Sequence, residues 1–201
     1  MSNKLSKYRA MRDPQKTPEP FTSRDIDPKK LVFVVQKHQA RALHYDFRLE
    51  VEGVMPSWAV PKGPSLDPSN KRLAMKTEDH PLDYRHFEGV IPKGEYGAGT
   101  VMVWDYGTYY PEIEENGKRV QFKEKKNGQE IMSKCLEKGE IKFTLSGKKL
   151  KGSFALIKTR GFGAKNAWLL IKHKDKFTNI GYDAKNFDFS AKSNRTLAQI
   201  T

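Results

Sequence analysis

The chain has 201 residues and a formal net charge of +13, with 37% hydrophobic, 30% charged and 11% aromatic residues. That length can bury one sizeable core, and the aromatic content argues against general disorder, while the charge surplus suits a polyanionic partner, nucleic acid before an anionic membrane surface. Cys135 is the single cysteine, which excludes an intrachain disulfide or a cysteine-rich zinc cluster. No stretch has the length of a membrane span, and Met1-Ser2-Asn3-Lys4-Leu5 lacks a signal-peptide run, so a cytoplasmic location is expected.

In chain order, residues 1–30 are polar, carry Pro14, Pro18, Pro20 and Pro28, and read as a partly flexible arm that is either a disordered leader or ties down on the body. Leu31 to His38 is a β-branched and aromatic run, and Gln39 to Leu43 is a short loop. From His44 to Val51 the chain alternates: Tyr45, Phe47, Leu49 and Val51 on one face, His44, Asp46 and Arg48 on the other. Ser57 to Val60 is a short strand stopped by Pro61-Lys62-Gly63-Pro64. Arg72 to Glu78 alternates again, and a strand from Thr100 to Tyr106 follows the glycine-rich Gly94–Gly99 turn. Trp58, Tyr96 and Trp104 are expected in the core. Arg119 to Lys125 is a further strand candidate, Asn127 to Glu137 a helix stopped by Gly139, and Ile141 to Leu145 with Ser153 to Lys158 a hairpin. Ala167 to His173 closes the β series. Residues 31–174 form the body, and 175–201 a polar, loosely packed extension. The charge is densest in the lysine-rich stretch Lys118 to Lys158. Many short strands with turn signals between them are typical of a sandwich or a barrel.

The chemistry concentrates on one strand face. Neighbouring side chains there are roughly 7 Å apart on the rise of a strand. His38, at the end of the preceding strand, joins them as His-x5-His-x-Asp, two nitrogen ligands and one carboxylate that suit manganese, iron or zinc with positions left open. Arg48 is either a salt-bridge partner of Asp46 or a fork for phosphate oxygens. His80 and Tyr84 fall on similar sides of a turn opened by Pro81. His86 and His173 are read as surface or packing residues. The glycine-rich loop lacks a Walker ending.

Long stretches carry a resemblance: Phe33–His38, Leu43–Glu50, Ser57–Ser65, Glu78–Tyr84, Phe87–Gly89, Ile91–Gly99, Val103–Asp105, Gly147–Gly152 and Trp168–Lys172. Together they resemble the 3′-phosphoesterase module of bacterial ATP-dependent DNA ligase D and its free-standing relatives. The resemblance implies a mainly β, compact single-domain barrel with one or two short helices and a crescent groove. It implies a manganese-dependent hydrolase, with cobalt or zinc as other candidate metals. This enzyme would remove a 3′-terminal ribonucleoside from a DNA or RNA primer strand and then hydrolyse the 3′-phosphate, in DNA repair by end joining at the nucleoid. On the matching positions it implies His38, His44 and Asp46 as metal ligands, Arg48, His80 and Tyr84 as phosphate-holding groups, and Lys62, Arg72 and Glu78 as a supporting shell. Asp13 matches an acidic residue of the arm. These 201 residues hold no ligase or polymerase module, so cooperation with a ligase or end-joining proteins is expected in trans. Two rival readings use the same residues: a two-histidine-one-carboxylate iron oxygenase, and a non-catalytic basic module that binds nucleic acid.

Overall fold

A computed structural model describes residues 4–159 and 164–200. Twelve strands form: β1 (Leu31–Gln39), β2 (Leu43–Leu49), β3 (Val54–Met55), β4 (Ser57–Val60), β5 (Arg72–Lys76), β6 (His80–Pro81), β7 (Gly89–Ile91), β8 (Gly99–Glu115), β9 (Lys118–Gln121), β10 (Glu140–Gly147), β11 (Lys151–Lys158) and β12 (Ala167–Lys172). Two α-helices accompany them, α1 (Ser6–Ala10) and α2 (Lys125–Lys138), with a 3-10 turn at Leu82–His86. The order β1-β2-β4-β5-β12-β11-β10-β8 returns to β1, so eight antiparallel strands close a barrel with no free edge among them.

The alternation read from the sequence decides which side chains point inward. Leu31, Phe33 and Val35 of β1 and Tyr45, Phe47 and Leu49 of β2 join Trp58, Trp104, Phe143, Phe154 and Trp168 in one continuous core. The barrel interior is therefore filled with side chains and has no room for a substrate. Val34, Gln36 and His38 point out of the barrel, as do His44, Asp46 and Arg48. Every residue of β1 except Gln39 is nevertheless buried. The outer wall is roofed by the β3–β6 pair, the 3-10 turn and the N-terminal arm, whose Tyr8 is fully buried against Phe21, His80 and Tyr84.

Several expectations are corrected. Of the two readings of the arm, its described residues follow the second: Tyr8, Thr17 and Glu19 are buried, and the arm lies across the barrel wall. The extension after residue 174 is not loose, since Tyr182, Ala184 and Ile200 belong to the main core and the Trp104 indole donates to the Phe187 carbonyl (2.8 Å). The strand expected over Thr100–Tyr106 runs on to Glu115, through Gly107 and Pro111. Gly107 permits this because a Cβ there would collide with the Ser146 carbonyl of β10. The strand expected over Arg119–Lys125 ends at Gln121, and Lys125 already opens α2. On β5 it is Ala74 that faces the core, while Leu73 is exposed. Trp58 and Trp104 are buried as expected, but Tyr96 is 44% exposed.

The turn Gly147–Leu150 shows why two of the resembling stretches go together. Asp105 of β8 is buried, and its carboxylate accepts from the backbone N–H groups of Lys148, Lys149 and Leu150 (2.8–2.9 Å). Burial raises its pKa, and these donors hold it down in part. Among the described residues no helix is long and apolar enough to cross a membrane.

Candidate functional site

The β1–β2 hairpin sets the geometry. Its register places His38 opposite His44 and Gln36 opposite Asp46, so Asp46 is the diagonal neighbour of His38 on the outer face. The two imidazole centroids are 4.8 Å apart. Asp46 Oδ2 lies 3.6 Å from His38 Nδ1 and Oδ1 lies 3.7 Å from His44 Nε2, beyond hydrogen-bond length in both cases. One donor atom from each of the three residues falls within 4.8 Å of the others. The His44 ring is oriented by Nδ1, which donates to the Ala42 carbonyl (3.0 Å) and leaves the Nε2 lone pair toward Asp46. His38 Nε2 is buried with no hydrogen-bond partner among the described residues.

A first-row divalent ion with ligands at about 2.1 Å needs donor atoms roughly 3.0–3.5 Å apart, so this set fits one after small adjustments. Asp46 supplies the charge. Burial pushes its pKa up, but Arg48 and the two histidines outweigh burial and hold it well below the usual carboxylate range.

Arg48 is buried and forked between three partners. Its Nε donates to Gln36 Oε1 (2.8 Å), Nη1 to His80 Nδ1 (3.0 Å), and Nη2 to Asp46 Oδ2 (3.1 Å). A guanidinium has five N–H donors, so two remain for a ligand. Salt bridge and phosphate fork, alternatives in the sequence, are thus compatible. Gln36 is fixed by donating to the Tyr84 and Phe87 carbonyls (3.0 and 2.9 Å).

His80 Nδ1 lies 3.0 Å from both Arg48 Nη1, which can only donate, and the Glu78 carbonyl, which can only accept, while Nε2 lies 3.8 Å from Glu78 Oε1 and 3.5 Å from Arg12 Nη2. Burial, then Arg48 and Arg12, push the His80 pKa well below the ordinary histidine value. The resting ring is therefore favoured in its neutral form. Tyr84 also reaches the cleft, but its hydroxyl donates to Glu19 Oε1 (2.9 Å), and its ring lies 4.9 Å from the Arg48 guanidinium carbon.

These groups line one open cleft of about 590 Å³ on the outer barrel wall, together with Glu78. Asp13, Lys62 and Arg72 do not line it. Asp13 and Lys62 are at the surface, and Arg72 of β5 pairs with Leu170 of β12. His86 and His173 are also elsewhere, bound to Asp25 and Ser153.

The sequence reading missed Arg12, Glu19 and Gln36. Arg12 is buried in the arm, with Nε on Glu19 Oε1 (2.9 Å), Nη1 on Glu78 Oε1 (3.1 Å) and Nη2 3.5 Å from His80 Nε2. The available signal was Tyr8, a large aromatic in an otherwise polar arm, which needs a burial site and brings Arg12 with it.

A family model for the DNA ligase D 3′-phosphoesterase domain matches residues 36–158. The chain belongs to that family. It is 47% identical over 179 residues to the multifunctional non-homologous end joining protein LigD of Pseudomonas aeruginosa, covering 87% of this chain and 19% of that protein. It is 42% identical over 190 residues to the multifunctional non-homologous end joining DNA repair protein LigD of Mycobacterium tuberculosis, covering 94% of this chain and 22% of that protein. The chain thus spans about a fifth of the length of these relatives. The matched segment runs from Gln36, behind Arg48, to the end of β11, so His38, His44, Asp46, the Arg48 fork and His80 all lie inside it.

Proposed function

We propose that this member of the LigD 3′-phosphoesterase family is a metal-dependent enzyme that processes the 3′ ends of DNA or RNA primer strands. It removes a terminal ribonucleoside by phosphodiester cleavage, then hydrolyses the remaining 3′-phosphate, in end joining. The observation that carries this reading is the juxtaposition of the His38–His44–Asp46 set with the partly free guanidinium of Arg48 in one cleft. A bare basic binding module would leave those four groups without a purpose, and an oxygenase would not need the fork.

His38, His44 and Asp46 would hold the ion; the donor set suits manganese, iron or zinc, and the family resemblance favours manganese, with cobalt or zinc as substitutes. Such an ion would supply a water of lowered pKa or polarise a phosphoryl oxygen. Arg48 uses its two free N–H groups on the equatorial phosphate oxygens, and Asp46 and Gln36 keep its plane fixed while it does so. Arg12 adds a second cation held by Glu19 and Glu78. His80 stands beside Arg48 as a neutral hydrogen-bonding group for the leaving oxygen. The +13 surplus supplies grip on the phosphate backbone, so binding weakens steeply with salt. The substrate places the protein in the cytoplasm, at the nucleoid.

The test is a 5′-labelled primer-template ending in one ribonucleotide, incubated with several divalent metals and resolved for 3′-phosphate and 3′-hydroxyl products. Conversion with manganese, lost in His44→Ala together with metal binding, is expected. Unaltered ends under every metal, despite tight binding, would favour the basic-module reading.

A further inference from the structure

Tyr96 was expected in the core and is instead the aromatic rim of the cleft, 44% exposed. Its loop is stiff: Gly94 and Gly97 take positive φ (98° and 78°), and Glu95 N–H donates to the Pro92 carbonyl and Ala98 N–H to the Glu95 carbonyl (3.2 and 3.1 Å). The ring lies 5.0 Å from the Arg12 guanidinium, which itself sits 4.0 Å from the Tyr8 ring. The hydroxyl donates to Glu78 Oε2 (3.5 Å). Arg12 covers one face of the ring, so the exposure belongs to the rest of it. Ile91, Gly97 and Ala98 continue this side of the cleft, and Ala40 and Ala42 flank the two histidines. The cleft thus has a charged wall on β1 and β2 and, across from it, a rim of Ile91, Tyr96, Gly97 and Ala98 that also carries Glu95, with Arg41 between the two alanines.

Resting on the phosphoesterase reading, we infer that Tyr96 is the stacking platform for the base of the 3′-terminal nucleoside while that nucleoside's phosphate lies on Arg48 and the metal set. A ring held from behind by a cation and tethered through its hydroxyl loses little freedom on stacking, which favours binding. Stacking is tolerant of base identity, so the site would accept all four bases and discriminate against an end that has none. Tyr96 acts on affinity and positioning, not on the bond being broken.

The experiment compares two otherwise identical primer-templates, one ending in a normal ribonucleotide and one in an abasic ribose, with wild type, Tyr96→Ala and Tyr96→Phe. Wild type should show KM roughly five- to a hundred-fold higher on the abasic end, the range of one base–aromatic stack. Tyr96→Ala should raise KM by a similar factor on the normal end and leave the abasic end nearly unchanged, and Tyr96→Phe should restore the discrimination. Equal losses on both ends in Tyr96→Ala would show that the ring merely caps Arg12 and would overturn the inference. Equal KM for both ends in wild type would overturn it without any variant, while turnover itself still upholds the phosphoesterase reading. Absence of turnover on either end would instead remove that reading and this one with it.

Discussion

Arg48→Ala tests the buried fork directly. The guanidinium is nearly fully buried and joins Gln36, Asp46 and His80. Its loss leaves the Asp46 carboxylate without its strongest cation and Gln36 Oε1 without a donor. Breaking a buried pair from one side costs about 3–5 kcal/mol. For a domain of this size each kcal/mol shifts Tm by about 2–4 °C, so a fall of roughly 6–20 °C is expected in the metal-free protein. The assay is thermal unfolding with and without saturating manganese, beside turnover on the ribonucleotide-ended primer. Manganese should still raise the variant's Tm, but by less than in wild type, because Asp46 is no longer held by Arg48. Turnover should fall by at least a hundred-fold, with Arg48→Lys between the two because it restores a charge but not the fork. A Tm within about 2 °C of wild type would refute the reasoning, since it would mean the guanidinium is neither buried nor engaged in solution.

His80 carries a pH prediction. Its folded pKa is lowered, so the unfolded chain takes up its proton first, and stability is lost as pH falls below the ordinary histidine value of about 6.5. His80→Gln should reduce the slope of unfolding free energy against pH by up to about 1.4 kcal/mol per pH unit between about 6.5 and 5, read by urea titration; an unchanged slope would show that the ring is solvated. Tyr8→Ala removes a fully buried ring from the arm and should cost about 3–5 kcal/mol locally, seen as new protease cleavage within residues 4–25 while the barrel stays folded. Gly99→Ala combines a positive φ of 142° with a Cβ driven into the Gln39 carbonyl; a Tm fall below about 3 °C would contradict the close approach of β8 to the hairpin.

The hairpin was legible because period-two alternation and a short loop are local signals: Tyr45, Phe47 and Leu49 had to turn away from His44, Asp46 and Arg48. The helix over α2 was legible from its spacing and from Gly139, which takes the left-handed C-terminal position. The sequence could not show that the chemical face is the outside of the barrel, because that depends on which layer covers it. Arg12 and Glu19 were hidden for the same reason: their partners Glu78, His80 and Tyr84 are distant in sequence, and only closure of the arm brings them in. The length of β8 was obscured by Gly107 and Pro111, ordinary strand breakers whose positions here are dictated by neighbouring backbone.

The two halves of the cleft differ in how far the chain must travel to build them. His38, His44 and Asp46 are brought together by a single tight hairpin, so their assembly needs only a short loop closure and belongs to the fast, local part of folding. The clamp of Arg12, Arg48 and His80 needs the arm, the hairpin and the 3-10 region at once. On the proposed reading, a nascent or partly unfolded chain would keep its three ion-binding groups together before it has any means of holding phosphate. Partial unfolding would then extinguish catalysis well before it released the metal.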